Sequence, residues 1–541
     1  MPTLNWIGKQ AVASHHKEVP FRLVEPVPEL SVGDIESGNL IVQGDNLWAL
    51  KALLPRYAGQ VKCIYIDPPY NTGNEGWVYN DNVNSPEIRR WLGETVGKEG
   101  ETLDRHDRWL CMMYPRLMLL KQFLRPDGAI FISIDDNEVA SLRLIMDEIF
   151  GITNHVATFV WKRRTTPDSR NQNGISPDHE YIIVYQVTNQ FRVIGQSKDL
   201  EKYTNPDNDP RGTWMSDNLT GLANPQERPN LHYEIIHPKT GARYSAHPSR
   251  GWIYGRERMD SLIADNKILW PKKPDGRPRL KRFVSDMLSE TTGFSTALTA
   301  PGNVAATKEL SEIMGPKVFA FPKPSELIQK LICQSTGKND LVLDSFAGSG
   351  TTAHAVLKQN AEDGGNRRFI LVEMDNTIAH TVTAERVKRV SQGYTSAKNK
   401  EVTGLGSGFQ FYQLSQEPLF AADGKVRPDV TFRQLAEFVW FTETGTGLTL
   451  EPATTFTTPL LGIFQNRAIF MLYNGILKDK TDLGGNVLNA KTLHLLQTLL
   501  PEKDMPCVVF GARTRFDKNT LTKLNITFHQ LPYELAAKTW F

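Results

Sequence analysis

The chain has 541 residues, of which 40% are hydrophobic and 23% are charged, and its formal net charge is +2. These values describe an ordinary globular protein of roughly two to four domains. The balanced charge neither requires nor excludes a nucleic-acid partner. The sequence contains no apolar run of the ~18 residues that a membrane span needs, and its four cysteines form no CxxC pair or metal-spaced cluster. We therefore expect a cytoplasmic protein without a disulfide framework or a metal site.

The first part of the chain alternates between strand and helix patterns. After an N-terminal arm (residues 1–30), residues 31–186 contain the strand segments NLIVQ, VKCIYID, AIFISID, HVATFVWKR and EYIIVYQ. Helix patterns such as DNLWALKALL and WLCMMYPRLMLLKQFL lie between the first four of these segments, with leucines at helical spacing. This alternation predicts an α/β fold with a mainly parallel sheet.

The composition changes between residues 187 and 318. This segment is richer in Asn, Asp, Pro, Gly and Arg, as in TNPDNDPRGTW and WPKKPDGRPRLKRF, so we predict an inserted, loop-rich domain. The α/β pattern resumes in residues 319–415 with the helix SELIQKLICQST and the strands LVLDSF and RFILVEMD. Residues 416–541 contain the strand patterns AIFMLY and CVVFGA and are long enough for a small C-terminal domain.

The tetrapeptide Asp67-Pro68-Pro69-Tyr70 directly follows the apolar strand VKCIYI. Open α/β sheets bind ligands at the carboxyl ends of their parallel strands, so we expect the tetrapeptide at such a crevice. The Asp67 carboxylate and a backbone carbonyl, fixed by rigid prolines, can accept both hydrogens of one amino group. The Tyr70 ring offers a face on which a base can stack. The alternative is a strand-ending turn that binds no ligand.

A second loop, FAGSGTT at residues 346–352, lies between the strand LVLD and a helix pattern. Glycines allow a ligand to approach the backbone closely, and a helix N-terminus presents unpaired N–H groups to a carboxylate or phosphate. The next strand ends in Glu373-Met374-Asp375, and an acid at that place suits ribose hydroxyls. Because neither GxGxxG nor GxxxxGK[ST] is present, a dinucleotide fingerprint and a P-loop fit poorly. A glycine turn between strand and helix is the alternative interpretation.

Together the two loops resemble those of the DNA amino-methyltransferases, which carry a DPPY-type catalytic loop and an FxGxG-type S-adenosylmethionine loop. The form IDPPYNTG is similar to that of the modification subunits of type III restriction–modification systems, and FPKPSELIQKLI and SPDHEYIIVY resemble two further segments of that family. The catalytic loop precedes the cofactor loop, which is the β-class order. The resemblance implies a circularly permuted, Rossmann-like methyltransferase fold, in which residues 31–186 form the catalytic half, 319–415 the cofactor-binding half and 187–318 a target-recognition domain.

The resemblance also implies contacts to S-adenosylmethionine. Phe346 would lie against the cofactor adenine, Glu373 on its ribose, and Lys323 on its methionine carboxylate. The remaining loop residues that it implies as cofactor contacts are Ala347, Gly348, Ser349, Gly350, Thr351 and Thr352. Asp45, in the segment QGDN, either contacts the cofactor or caps the following helix.

Two basic segments are candidates for DNA contacts. The inserted segment contains Lys272, Lys273, Arg277, Arg279, Lys281 and Arg282, next to two aromatic residues. The second segment consists of Lys162, Arg163 and Arg164. Such patches can neutralise phosphates in a salt-dependent way. The alternative for both segments is a solvated basic loop.

The main hypothesis is a site-specific DNA adenine-N6 methyltransferase that acts as the modification subunit of a type III system. Asp67, Pro68, Pro69 and Tyr70 would form the catalytic loop, and Tyr70 would hold a base flipped out of double-stranded DNA. Methylation of the cytosine N4 amino group would use the same geometry and stays open, as do a non-catalytic DNA-binding subunit and an orphan methyltransferase. The chain contains no recognisable helicase P-loop or nuclease motif, so DNA cleavage would require a helicase–nuclease partner. The family resemblance also suggests a homodimer.

Overall fold

The computed structural model divides into two compact units. The larger unit comprises residues 1–193 and 295–541, and the smaller unit comprises residues 194–294. The residues that the structure describes are 3–72, 105–168, 174–273, 276–287, 289, 291–421, 423–450, 454–473, 475–478, 484–502 and 504–531. Among them, no helix combines the length and the apolar character that crossing a bilayer requires.

The strands of the described residues are named here in chain order. They are β1 (Arg22–Pro26), β2 (Leu40–Gln43), β3 (Val61–Ile66), β4 (Leu124–Ile134), β5 (His155–Lys162), β6 (His179–Gln186), β7 (Gln196–Ser197), β8 (Trp214–Asp217), β9 (Glu234–Ile236), β10 (Arg243–Ser245), β11 (Ile268–Leu269), β12 (Arg279–Phe283), β13 (Thr291–Thr292), β14 (Ala297–Leu298), β15 (Leu341–Asp344), β16 (Arg368–Glu373), β17 (Gly393–Thr395), β18 (Glu401–Thr403), β19 (Gln410–Pro418), β20 (Leu460–Phe464), β21 (Arg467–Met471), β22 (Val487–Leu488), β23 (Cys507–Gly511), β24 (Arg513–Thr514) and β25 (Ile526–Gln530).

The helices follow the same naming. They are α1 (Lys9–Ala13), α2 (His15–Glu18), α3 (Asn46–Tyr57), α4 (Arg105–Phe123), α5 (Val139–Phe150), α6 (Arg256–Ala264), α7 (Asn303–Met314), α8 (Ser325–Ser335), α9 (Thr351–Asp363), α10 (Asn376–Ile378), α11 (Ala384–Gln392), α12 (Phe432–Thr444), α13 (Ala490–Thr498) and α14 (Lys518–Lys523). A π-helical turn, Ala379–Thr383, joins α10 to α11.

A ten-stranded sheet forms the centre of the larger unit. Its strand order is β1-β19-β2-β16-β15-β3-β4-β6-β5-β14. The strands from β19 to β4 run parallel to one another, whereas β6 runs antiparallel between β4 and β5. All six residues of β3 are buried, as expected for a parallel strand that helices cover on both faces. The largest apolar cluster joins α3, α4 and α5 to this sheet through residues such as Leu50, Leu117 and Ile132.

The direction of the chain through the sheet changes between β15 and β3. These two strands are parallel neighbours, with Val342 opposite Cys63 and Leu343 opposite Ile64. From β15 the chain continues to β16 on one side, and from β3 it continues to β4 on the other side. Such a switch point opens a crevice at the carboxyl ends of the two strands. The predicted Rossmann-like α/β fold is therefore confirmed, with β3 preceding β15 in the sequence as the permuted order requires.

The compact units differ in their bounds from the predicted domains. The smaller unit ends at residue 294, because β14 pairs with β5 and α7 packs against α11 of the larger unit. The predicted boundary between residues 415 and 416 falls inside β19, which pairs with β1 of the predicted N-terminal arm. The four-stranded sheet β20-β21-β23-β25 also belongs to the larger unit. A separate C-terminal domain stays a prediction.

The smaller unit has a core of its own. Its three-stranded sheet has the order β11-β12-β8, and β9 and β10 form a hairpin. Leu219, Trp252, Met259 and Leu280 are buried together in its apolar cluster. The segment with irregular composition is therefore packed, although its strands are short.

Candidate active site

The catalytic loop begins directly after β3 and is held by side chains of helices that are distant in the sequence. The indole N–H of Trp109, in α4, donates a hydrogen bond of 2.6 Å to the Pro69 carbonyl. Asn71, with a φ of 58°, donates to the Arg105 carbonyl and to the buried carboxylate of Glu138. Among the described residues, none donates a hydrogen bond to the Pro68 carbonyl. That oxygen is therefore available as an acceptor next to Asp67.

Asp67 is held in an ion pair with Lys323, which precedes α8. The Lys323 Nζ lies 2.8 Å from each carboxylate oxygen of Asp67, and it also lies 4.8 Å from the centre of the Tyr70 ring. The Tyr70 hydroxyl donates to Asp67 Oδ1 over 2.8 Å. Burial raises the pKa of Asp67, although the Lys323 ammonium acts in the opposite direction. The structure thus brings together the predicted catalytic residues Asp67 and Tyr70 and the predicted cofactor contact Lys323.

Glu180 is a site residue that the sequence reasoning missed. It lies at the start of β6, is 3% exposed, and its Oε2 accepts a hydrogen bond of 3.1 Å from the Tyr70 hydroxyl. Arg163 pairs with the other carboxylate oxygen of Glu180, Oε1, at 3.1 Å. The Lys323 Nζ lies 3.4 Å from Glu180 Oε2. The available signals were the resemblance of SPDHEYIIVY to a segment of the family and the acid at the head of the apolar run EYIIVYQ.

The cofactor loop follows β15 and is held by two buried carboxylates. Asp344, the last residue of β15, accepts hydrogen bonds from the Phe346 N–H (2.9 Å) and the Thr352 hydroxyl (2.5 Å). Burial raises the pKa of Asp344 to about 7. Glu373, at the end of β16 and fully buried, accepts from the Gly348 N–H at 2.8 Å. Glu373 thus shapes the loop, and a contact between its carboxylate and a ribose stays a prediction.

Arg386 holds the cofactor loop through hydrogen bonds to its side chains. This residue of α11 is fully buried and donates to the hydroxyls of Ser349 (3.0 Å) and Thr351 (2.8 Å). Its counter-charge is Glu309 of α7, at 3.6 Å, and burial lowers the pKa of Arg386 to about 10. In the sequence this arginine is indistinguishable from the solvent-facing arginines of an amphipathic helix.

The two loops line one cleft. The cleft contains Asp67 and Lys323 on the side of the catalytic loop. Its other lining residues are Tyr65, Phe319, Phe321, Pro322, Ile328, Asp344, Phe346, Ala347, Gly348, Ser349, Thr351 and Thr352. Phe321 adopts a φ of 54°, which is uncommon for an aromatic residue and typical of a functional site. The sequence reasoning did not single out Phe319, Phe321 or Asp344.

Asp45 caps the N-terminus of α3. Its carboxylate accepts hydrogen bonds from the N–H groups of Leu47 (2.9 Å) and Trp48 (3.3 Å) at the start of α3. It also pairs with the buried Arg116 at 3.1 Å. These contacts are those of a helix cap, which was the alternative to a cofactor contact.

The predicted DNA-binding residues differ in their exposure. In the larger unit Lys162 is exposed, whereas Arg163 turns inward to Glu180 and Arg164 pairs with Asp168 at 2.6 Å. In the smaller unit Lys281 is buried against Asp207 and Asp209, which leaves no ammonium for a phosphate. The remaining predicted residues of that unit, Lys272, Lys273, Arg277, Arg279 and Arg282, are exposed, although Arg282 pairs with Asp217 and Arg279 bonds to Ser216.

Known proteins with similar sequences are DNA methyltransferases and subunits of restriction–modification enzymes. A family model described as DNA methylase matches residues 61–384, more than half of the chain. The type III StyLTI Mod subunit of Salmonella typhimurium is 35% identical over 76% of this chain and 66% of its own length. The type III EcoP15I Mod subunit of Escherichia coli is 33% identical, with coverages of 76% and 71%. The type II methyltransferase M.KpnI of Klebsiella pneumoniae is 30% identical, with coverages of 70% and 94%.

The chain spans about two thirds of the length of the two Mod subunits. The solved structures that align with the chain are more distant. The cytosine-N4-specific PvuII DNA methyltransferase aligns over 64% of this chain and 86% of its own, with a TM-score of 0.33 and 13% identity. An M1.HpyAVI–SAM complex aligns over 64% and 98%, with a TM-score of 0.28 and 15% identity.

Proposed function

Because the chain belongs to the DNA methylase family, we propose that it transfers a methyl group from S-adenosylmethionine to the N6 amino group of an adenine in double-stranded DNA. The observation that carries the proposal is that Asp67 and the FAGSGTT loop line one cleft at the carboxyl ends of adjacent parallel strands. The predicted resemblance to type III Mod subunits is confirmed by the sequence identities. Family membership likewise confirms the predicted cofactor, S-adenosylmethionine.

The catalytic loop offers two acceptors for one amino group. The exocyclic nitrogen of adenine is a poor nucleophile because its lone pair is conjugated with the ring. Hydrogen bonds from its two hydrogens to the Asp67 carboxylate and the Pro68 carbonyl favour a pyramidal nitrogen, whose lone pair can face the methyl group. The nitrogen becomes cationic during transfer, and the carboxylate stabilises that charge. The loop thus acts by positioning and electrostatics, without a covalent enzyme intermediate.

The residues that line the cleft suit S-adenosylmethionine. Aromatic side chains, among them Phe319, Phe321 and Phe346, suit its adenine, and carboxylates suit its positively charged groups. When bound, the cofactor supplies an electrophilic methyl group. Gly348 to Thr352 would surround its methionine end. A contact between Lys323 and the cofactor carboxylate stays a prediction, since the Lys323 ammonium already contacts both Asp67 oxygens and Glu180.

Access to the amino group requires the base to leave the duplex, because the group is paired there. Tyr70 would stack on the flipped base, as its hydroxyl is anchored to two carboxylates at its far end. Phosphate contacts would come from the exposed cations of the predicted set, such as Lys162, Lys272, Lys273 and Arg277. These contacts make the affinity for DNA salt-dependent.

The chain would serve as the modification subunit of a type III restriction–modification system. The identities to two Mod subunits support this assignment. It would act as a homodimer together with a separate helicase–nuclease. Co-expression with the product of a neighbouring helicase–nuclease reading frame tests the partnership: ATP-dependent cleavage of unmethylated DNA is expected. Methylation without any cleavage would leave an orphan methyltransferase instead.

Mass spectrometry of digested DNA tests the reaction itself. DNA from cells that express the wild-type chain should contain N6-methyladenine, and DNA from cells that express Asp67→Ala should not. N4-methylcytosine without methyladenine would overturn the choice of base, and no methylated base in either sample would overturn the methyltransferase assignment. Methylation-aware sequencing of the same DNA then gives the recognition sequence.

A further inference from the structure

Glu180 is a buried acid to which the proposed methyl transfer assigns no role beyond the anchoring of the Tyr70 hydroxyl. Its carboxylate contacts three other polar side chains, the Tyr70 hydroxyl, the Lys323 ammonium and the Arg163 guanidinium, at 3.1, 3.4 and 3.1 Å. Two of these three residues also contact Asp67. A carboxylate is costly to bury unless it is paired, so these contacts explain how Glu180 is tolerated. They also connect it to the acceptor of the amino group.

The acceptor positions of Asp67 are almost all in use. A carboxylate offers about four such positions, two on each oxygen. Lys323 and the Tyr70 hydroxyl both donate to Oδ1, and Lys323 alone donates to Oδ2. One position on Oδ2 is therefore available to a hydrogen of the substrate amino group. The strength of the hydrogen bond that this position accepts depends on how far the Lys323 ammonium neutralises the Asp67 carboxylate.

Glu180 divides these donors between two carboxylates. The single Tyr70 hydroxyl hydrogen lies between Asp67 Oδ1 and Glu180 Oε2, at 2.8 and 3.1 Å. With both carboxylates, Lys323 and Arg163 ionised, the cluster is neutral. Without the charge on Glu180, a net positive charge would be left in a buried site, with the Lys323 ammonium neutralised by Asp67 alone. Asp67 would then be a weaker acceptor.

We propose that Glu180 is a positioning residue for the methyl transfer: by sharing the Lys323 ammonium and the Tyr70 hydroxyl with Asp67, it keeps the Asp67 carboxylate available to the amino group. The same hydrogen bond fixes the Tyr70 ring, on which the base would stack. The inference rests on the proposed function. The direction of the Asp67 pKa agrees with it, since the negative charge of Glu180 adds to the effect of burial and raises that pKa.

Other charged and titratable groups surround the two carboxylates and are unchanged in the test below. They are Tyr65 of β3, Tyr70 of the catalytic loop, Asp135 after β4, Lys323 before α8 and Asp344 of β15. Arg163, after β5, completes the set and is changed in one variant.

The first experiment compares full-length wild type with Glu180→Gln. Glutamine keeps the size of the side chain and an acceptor for Tyr70 but removes the charge. Transfer of a labelled methyl group from S-adenosylmethionine to unmethylated genomic DNA is measured across the acid limb of the pH profile. We expect kcat to fall roughly tenfold, KM for the cofactor to be retained, and the acid limb to move to lower pH, because Asp67 loses the charge that raises its pKa.

The control is Glu312→Gln, which removes the same charge from an acid that pairs with Lys398 at the surface. This control should reproduce the wild-type profile. The double variant Glu180→Gln/Arg163→Gln should move the acid limb back towards its wild-type position, because it removes one charge of each sign. A structural role for Glu180 would lower activity at every pH without moving the limb.

An unshifted acid limb in Glu180→Gln would overturn the positioning role. If that variant fails to fold, Glu180→Asp carries the test, because aspartate keeps the charge: a wild-type limb with reduced kcat supports the inference, and a limb displaced to lower pH contradicts it. No methyl transfer by the wild-type chain would instead overturn the proposed function, and the inference with it.

Discussion

The two loops that meet in the cleft are held in different ways. The catalytic loop presents a side chain and a carbonyl. It is held by an ion pair with Lys323 and by the indole N–H of Trp109, which both lie elsewhere in the sequence. The cofactor loop presents backbone, and it is held by carboxylates at the ends of its own and the adjacent strand, Asp344 and Glu373. Changes on the first loop should therefore affect the chemical step, and changes on the second should affect cofactor binding and stability.

Asp67→Ala is expected to have the largest effect. Removing the carboxylate should lower kcat by roughly 10³-fold, the range found for the loss of one preorganised group. Cofactor affinity, measured by calorimetry, should largely persist because the cofactor loop is held by other residues. The surface variant Asp423→Ala is the matched control, since Asp423 pairs only with an exposed lysine among the described contacts. Full activity of Asp67→Ala would contradict the assigned role of the catalytic loop.

Asp344→Asn tests whether the buried carboxyl group that holds the cofactor loop makes the stability of the protein depend on pH. The pKa of Asp344 is raised from 3.8 in the unfolded chain to about 7 in the folded one, so the folded state binds more protons between these values. Wild-type stability should therefore fall as pH rises through this window, by up to about 4 kcal/mol. The asparagine variant has no carboxyl group to ionise and should lack this decline. Urea denaturation at a series of pH values checks it, and parallel curves for the two proteins would refute it.

Arg386→Gln should destabilise the cofactor loop. The change removes the donors to Ser349 and Thr351 and leaves the partly buried Glu309 with less counter-charge, which should cost about 3 kcal/mol of unfolding free energy. The dissociation constant for S-adenosylmethionine should rise, whereas the acid limb of kcat should not move. Lys388→Gln, which removes an exposed charge from the same helix, should match the wild type. Equal effects of both variants would argue against a specific role for Arg386.

Trp109→Phe is expected to have the smallest effect. It removes the hydrogen bond to the Pro69 carbonyl but keeps an aromatic side chain in the core. We expect kcat to fall about tenfold because the catalytic loop is less well positioned, with unchanged cofactor affinity. If cofactor binding suffered more than kcat, the division of labour between the loops would be wrong.

The parts of the site that the sequence predicted are those that lie next to one another in the chain. Asp67, Pro68 and Tyr70 form one tetrapeptide, and Gly348 to Thr352 form one turn, so residue types and spacing were enough to recognise both. Glu180 and Arg386 were missed because each reaches its loop from another strand or helix. A single acid or arginine in an apolar or amphipathic run gives no indication of its partner.

The same reason explains the basic residues. Lys281 and Arg163 were grouped with their neighbours as DNA contacts, because a run of cations predicts a phosphate-binding surface. The structure buries Lys281 between two aspartates and turns Arg163 towards Glu180. Each of these cations takes the acid that another part of the fold places next to it, so a basic run in the sequence does not form one basic surface.

The sequence by itself determined the fold class, the two loops and their order along the chain, because hydrophobic periodicity and short motifs are local properties. Only the tertiary structure decided that β3 and β15 are neighbours, and that Asp67 and Glu180 share the Lys323 ammonium. Such contacts depend on the pairing of strands and on burial, which bring together residues that are separated by long stretches of chain and whose charges are stable in the interior only as a set.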